Sequence, residues 1–121
     1  MSLAAAGAFL GGTGVIAGAF GSHYLRSRMT EDRQRSWQIA VHYQLLHAVA
    51  IFSSGLLLRT LAGEKQRQLQ RAMMLWAAGT GIFSGSIYLL CLGYKGILGP
   101  LTPVGGLLMI AGWGVAAVAA L

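Results

Sequence analysis

The chain has 121 residues, 55% of them hydrophobic and only 10% charged, and its mean hydropathy is +0.63. This composition excludes an ordinary soluble domain, in which about 25% of residues are charged. The net charge of +6 does not indicate nucleic-acid binding, because the basic residues lie in short segments between long uncharged stretches. Basic residues in such positions set membrane topology and contact anionic headgroups. We therefore expect the lipid bilayer as a partner and no nucleic acid.

The charges divide the chain into four uncharged stretches. They fall in Arg26–Arg35 and Arg59–Arg71, with Lys95 alone after them. Each stretch reaches the length of about 20 residues that crosses the hydrocarbon core. The sequence therefore predicts an all-α protein, an integral membrane bundle of four transmembrane helices with glycine-rich packing, in a single domain over residues 1–121. The predicted spans are residues 2–25, 36–58, 72–94 and 103–121. Loop charges do not orient them, because five basic residues lie on one face and four on the other.

The first span carries a periodic series of glycines. In water each interior glycine would destabilise the helix by about 0.5–1 kcal/mol relative to alanine. In lipid, small residues let two helix backbones approach closely, and that contact holds membrane helices together. The series is therefore predicted to face another helix. Its members follow at steps of four, three, four and three residues: Gly7, Gly11, Gly14, Gly18 and Gly21.

The second helix is predicted to run from about Glu31 to Leu58, with Thr30 as its N-cap. Its polar residues are the main functional candidates, because an ionisable group inside a membrane is often functional. His47 lies near the middle of its span, and we expect it to be buried, neutral and hydrogen-bonded to a hydroxyl of Thr13 or Ser84. This is the structural interpretation, which we favour, and the alternative is a functional histidine. The predicted buried polar layer comprises Thr13, Tyr43, Gln44, His47 and Ser84, with Trp113 at a similar depth.

The third and fourth spans repeat the small-residue pattern. Gly81 and Gly85 are four residues apart in the third span, and Gly105 and Gly112 share one face of the fourth. We expect all four glycines to pack against neighbouring helices.

The last helix is predicted to start late. Gly99-Pro100-Leu101 is typical of irregular backbone, and Thr102-Pro103 is typical of an N-cap followed by a proline in the first helical position. The alternative for this segment is a binding loop, because irregular backbone at membrane depth must be buried in protein or line a polar cavity.

Catalytic and metal-binding patterns are missing from the sequence. Glu31, Asp32 and Glu64 are the only carboxylates, and none lies in a predicted span. His42 and His47 are five residues apart, about 140° around a helix, so they do not converge on one ion. Cys91 is the single cysteine, which leaves no CxxC pair. We therefore expect no enzyme activity, no cofactor and no metal.

Four blocks of sequence resemble a known family of small membrane proteins, typified by transmembrane protein 256 and also called domain of unknown function 423. The resemblance covers nearly the whole chain and implies four spans, a bacterial plasma membrane or mitochondrial inner membrane, and no established activity. The blocks are GAFGSH (Gly18–His23), VHYQLLHA (Val41–Ala48), FSGSIYLL (Phe83–Leu90), and GPLTPVGG (Gly99–Gly106) followed by Gly112-Trp113.

Two classes of function are compatible with these patterns. The favoured hypothesis is a non-catalytic accessory subunit that packs against other membrane-protein subunits, such as those of a mitochondrial respiratory complex in the inner membrane. The alternative is a channel or carrier for small solutes or lipids that uses the layer around His47. Bacterial plasma membrane is the alternative location.

Overall fold

A computed structural model describes residues 2–121 as four long helices and one short turn of 3₁₀ helix at Leu58–Thr60. No strand occurs within that range. Each long helix is long and apolar enough to cross a membrane, which confirms the predicted all-α class with four spans. The helices are α1 (Leu3–His23), α2 (Glu31–Leu57), α3 (Gly63–Cys91) and α4 (Leu98–Ala120).

The start of α2 lies where the sequence predicts it. The Thr30 hydroxyl accepts a hydrogen bond from the Arg33 amide at 3.2 Å, so the predicted N-cap of α2 is confirmed. The turn between α3 and α4 contains Gly93 and Gly96, which have φ values of 102° and 88°. Residues with a side chain rarely adopt that left-handed backbone conformation, so both positions favour glycine.

The start of α4 differs from the prediction. The helix begins at Leu98, and Thr102 and Pro103 lie inside it. Pro100 fits the first turn because the first four helical amides have no partner within the helix. Instead of capping, the Thr102 hydroxyl donates to the Leu98 carbonyl at 3.1 Å and lies 2.6 Å from the Ser86 hydroxyl of α3. The contact with α3 therefore replaces the predicted cap.

The helices pack in the order of the chain. Helix α1 packs on α2, α2 on α3, and α3 on α4, with a minor contact between α1 and α3. Within residues 2–121, the backbone of α4 does not approach that of α1 or α2. At the far end of the bundle, Lys65 of α3 donates to the Ala119 carbonyl of α4 at 3.3 Å. Helices α2 and α3 are thus central, and α1 and α4 each lie on one side.

The predicted glycine face of α1 lies against α2. A Cβ at Gly7 would be 2.6 Å from the Phe52 backbone nitrogen, and one at Gly14 would be 2.8 Å from the Leu45 side chain. Both distances are shorter than real Cβ atoms show. The helices can approach this closely only because glycine has no side chain. The other three glycines of the series also face α2, next to Ala48 (Gly11), Val41 (Gly18) and Trp37 (Gly21).

Helices α3 and α4 meet through a second set of glycines. A Cβ at Gly105 would clash with the Phe83 backbone and lie 2.8 Å from the Gly79 carbonyl oxygen, and one at Gly112 would lie 2.5 Å from the Trp76 ring. Sequence reasoning did not single out Gly79, although it forms half of this close contact.

Gly81 and Gly85 do not pack as expected. A Cβ at either position would have no heavy atom within 4 Å. The reason is helical geometry, because a residue two positions beyond Gly79 or Phe83 lies about 200° around α3, on the side away from α4. The prediction that these two glycines contact a neighbouring helix of this chain is wrong.

We predict that Gly7→Leu destabilises the protein by about 1–3 kcal/mol, because the added side chain forces two backbones apart. Gly12→Leu is the matched control, since Gly12 is on the same helix with nothing within 4 Å. Reversible unfolding in mixed micelles measures both variants. Equal stability of the two would contradict the close approach of α1 and α2.

Candidate functional site

The buried polar side chains gather around α2 and α3. Gln44 and His47 of α2 are buried, and so are Thr80, Ser84 and Ser86 of α3. Lipid offers these groups no hydrogen-bond partners, so each must find one inside the protein or remain unpaired at a free-energy cost. The hydrogen-bond partners of these side chains therefore show whether they link helices or are left available for a ligand.

Gln44 joins three helices. Its side-chain nitrogen donates to the Leu10 carbonyl and to the Thr13 hydroxyl of α1, both at 2.9 Å. Its side-chain oxygen accepts from the Tyr88 hydroxyl of α3 at 2.7 Å. The Thr13 hydroxyl donates in turn to the Phe9 carbonyl at 2.9 Å. Every strong donor and acceptor of the Gln44 amide is thus used in binding helices together.

His47 joins α2 to α4. The side chain is only 3% exposed, and its Nδ1 lies 2.8 Å from the Tyr43 carbonyl oxygen one turn earlier. Its Nε2 accepts from the Trp113 indole N–H at 3.1 Å. An indole nitrogen only donates and a carbonyl only accepts, so the arrangement fits a neutral imidazole with its proton on Nδ1.

The predicted hydroxyl partner of His47 is wrong. Thr13 is bonded to Gln44, and the Ser84 hydroxyl donates to the Ala40 carbonyl of α2 at 2.7 Å. Both hydroxyls are thus directed at other residues of α2, while His47 bonds to Trp113 of α4. The polar residues therefore form separate groups instead of one layer.

Tyr43 lies at the edge of these groups. Its side chain is 40% exposed and stacks on Phe83 of α3, with 5.1 Å between ring centroids. Only its backbone carbonyl takes part in the polar interior, through His47.

Tyr88, Trp76, Thr80 and Ser86 of α3 belong to the polar interior although sequence reasoning did not select them. Tyr88 completes the Gln44 network, and Trp76 packs against Trp113 with ring centroids 4.5 Å apart. Trp76 Nε1 and Thr80 Oγ1 are buried and have no hydrogen-bond partner among residues 2–121. The available signal was the amphipathic character of Tyr and Trp, whose polar ends need partners when buried.

The hydrogen bonds of these polar side chains limit which reactions or ligands the interior could support. Among residues 2–121, no group of three histidine, cysteine or acidic side chains is placed to hold a metal ion. The polar side-chain atoms of Gln44, His47 and Ser84 form hydrogen bonds between or within helices. This arrangement is suited to fixing helix positions.

We predict that Gln44→Leu lowers stability by about 1–3 kcal/mol, because it leaves the Tyr88 hydroxyl unpaired in the interior. Adding Tyr88→Phe to this variant should restore part of the loss, since the unpaired hydroxyl is then removed. Unfolding of the single and double variants in mixed micelles checks this. Additive effects would contradict the hydrogen bond.

Comparisons with known proteins agree on a membrane protein. The family model described as "Protein of unknown function (DUF423)" matches residues 17–106. A UPF0382 membrane protein of Staphylococcus haemolyticus is 38% identical over 99 residues, covering 82% of this chain and 78% of the relative. A UPF0382 membrane protein of Schizosaccharomyces pombe is 39% identical over 110 residues, covering 84% and 88%.

A third relative, the UPF0382 inner membrane protein YgdD of Escherichia coli, is 32% identical over 115 residues, covering 88% of this chain and 79% of the relative. No solved structure matches the chain. The names of these relatives state a membrane location and no activity. Together with the four spans, they make this chain an integral membrane protein.

Proposed function

We propose that this chain, which belongs to the DUF423 family, is a non-catalytic accessory subunit packed against a larger membrane assembly. The proposal rests on the outer face of α3, which no other helix within residues 2–121 covers. Its middle consists of Gly81 and Gly85, where a Cβ would meet nothing within 4 Å. Larger side chains bound it on either side, since Met74 is 57% exposed and Leu89 41%.

A partner helix fits such a face for a physical reason. Lipid gives no hydrophobic drive for helices to associate, so association depends on close packing, and glycine permits the closest approach. Two other glycines of this chain make such close helix contacts, Gly7 with α2 and Gly105 with α3. Polar groups used in fixed hydrogen bonds between helices also suit a subunit whose role is to pack.

For the location, we propose the mitochondrial inner membrane, with the bacterial plasma membrane as the alternative. A relative in fission yeast is compatible with the first, and relatives in Staphylococcus and Escherichia coli with the second. Immunoblotting of fractionated cells from the source organism distinguishes them.

The test is native electrophoresis of membranes dissolved in mild detergent. We predict that the wild-type chain migrates with a large complex and that Gly85→Leu migrates as a free chain. The fold of the variant should persist, because the space around Gly85 is open. Gly114→Leu is the matched control, since Gly114 has the same open surroundings on α4. Migration of the wild type as a monomer or small homo-oligomer would contradict the proposal.

The second candidate, a carrier or channel for small solutes, is favoured by one observation. Trp76 Nε1 and Thr80 Oγ1 are buried without partners, at a cost of about 1–3 kcal/mol for each unpaired group. Trp76 also lies next to His47, with 6.5 Å between ring centroids. The unpaired indole N–H beside His47 is a donor that a transient polar ligand would use.

Thr80→Val separates the two candidates, because it removes the unpaired hydroxyl and keeps the shape of the side chain. For an accessory subunit we expect unchanged or higher stability, and no solute flux through the purified protein in liposomes before or after the change. Flux that is present in the wild type and lost in Thr80→Val and His47→Ala, with the fold intact, would favour the carrier.

A further inference from the structure

We propose that the cleft between the end of α1 and the start of α2 binds one anionic phospholipid, with Arg26 holding its phosphate. This inference is independent of the proposed accessory role, because it concerns a different face of the molecule. The cleft has a volume of about 670 Å³. Two of the four family-like blocks meet there, since Gly18 and Ser22 come from the first and Val41 and His42 from the second.

The lining becomes more apolar with depth. Ser22, Arg26, Gln34 and Gln38 line the cleft near the loop between α1 and α2, while Val41 and Leu45, with His42 beside them, line its deeper part. At 1.5 Å per residue, Leu45 lies about 16 Å further along α2 than Gln34. A polar mouth above an apolar wall matches a headgroup joined to acyl chains.

Arg26 lines the cleft and is free for a ligand, whereas Arg33 lines a separate pocket formed with α3 and α4. The Arg28 guanidinium lies 4.0 Å from the centre of the Tyr24 ring and donates to the Tyr24 carbonyl. Arg35 is paired with Asp32. Within residues 2–121, the Arg26 side chain has no carboxylate partner and no hydrogen bond of its own. A guanidinium binds phosphate oxygens through two parallel hydrogen bonds.

The neighbouring side chains add hydrogen-bonding capacity without opposing charge. Ser22, Gln38 and His42 line the cleft with Arg26, and none of the described residues that line it is a carboxylate. Because the cleft lies where the apolar spans meet the charged loop, its occupant is at headgroup depth. These features select an anionic lipid over a soluble anion, which would not use the apolar wall.

Native mass spectrometry of the full chain released from detergent tests this inference. The probes are phosphatidylglycerol, phosphatidylcholine and glycerol 3-phosphate, each at the same concentration. We expect one retained phosphatidylglycerol, much less phosphatidylcholine and no glycerol 3-phosphate. Arg26→Gln should weaken phosphatidylglycerol binding about tenfold, because it removes a charge-assisted contact.

Arg59→Gln, which removes a charge at the opposite end of the molecule, is the matched control and should bind like the wild type. Arg26→Lys should bind with intermediate strength, since it keeps the charge and loses the paired geometry. Equal binding by Arg26→Gln and the wild type would overturn the inference. So would equal retention of the two lipids, and retention of glycerol 3-phosphate would assign the cleft to a soluble anion instead. None of these outcomes depends on whether the chain joins a larger assembly.

Discussion

The close approach of α1 to α2 is the constraint on which the rest of the structure depends. At Gly7 and Gly14 the space for a side chain is already taken by the backbone or side chains of α2. This proximity lets the Gln44 amide reach the Leu10 carbonyl and the Thr13 hydroxyl directly, at 2.9 Å. In lipid, where no water can bridge a gap, a buried polar side chain without such a partner carries a free-energy cost.

The order of the helices follows from a small number of such contacts. Gln44 binds α1 to α2 and, through Tyr88, to α3. Gly79 and Gly105 bring α3 and α4 together, and the Trp113–His47 hydrogen bond ties α4 back to α2. Because α4 packs on the side of α3 that carries Gly79, the face with Gly81 and Gly85 has no neighbouring helix within residues 2–121. An exposed face of small residues in the membrane is a natural place for another subunit.

Features that depend on local sequence were predictable. The Thr30 cap of α2 needs only a hydroxyl before an acidic first turn, and the glycine face of α1 is visible as a period along one helix. The four spans follow from the distribution of charge. For Thr102 and Pro103 the same local rules failed, because Pro100 also fits a first turn and the Ser86 hydroxyl offers Thr102 a tertiary partner.

Features that depend on which helix faces which were not predictable from one sequence. The predicted depth in the membrane placed Thr13, Ser84 and Trp113 near His47. Depth does not show on which side of α2 a residue lies, and of these three only Trp113 is bonded to the imidazole. The spacing of Gly81 and Gly85 is the same as that of packed glycines elsewhere in the chain. Their orientation is set by Gly79 and Phe83, which place α4 on the other side of α3.

Disulfide formation between α1 and α2 in native membranes tests the central contact most directly. A Cβ at Gly11 would lie 3.8 Å from the Cβ of Ala48, which matches the separation of about 3.8 Å in disulfides. With Cys91 replaced by serine, Gly11→Cys combined with Ala48→Cys should cross-link within one chain under mild oxidation. Gly12→Cys combined with Ala48→Cys should not, because Gly12 points away from α2. Efficient cross-linking of the second pair and none of the first would contradict the packing of α1 on α2.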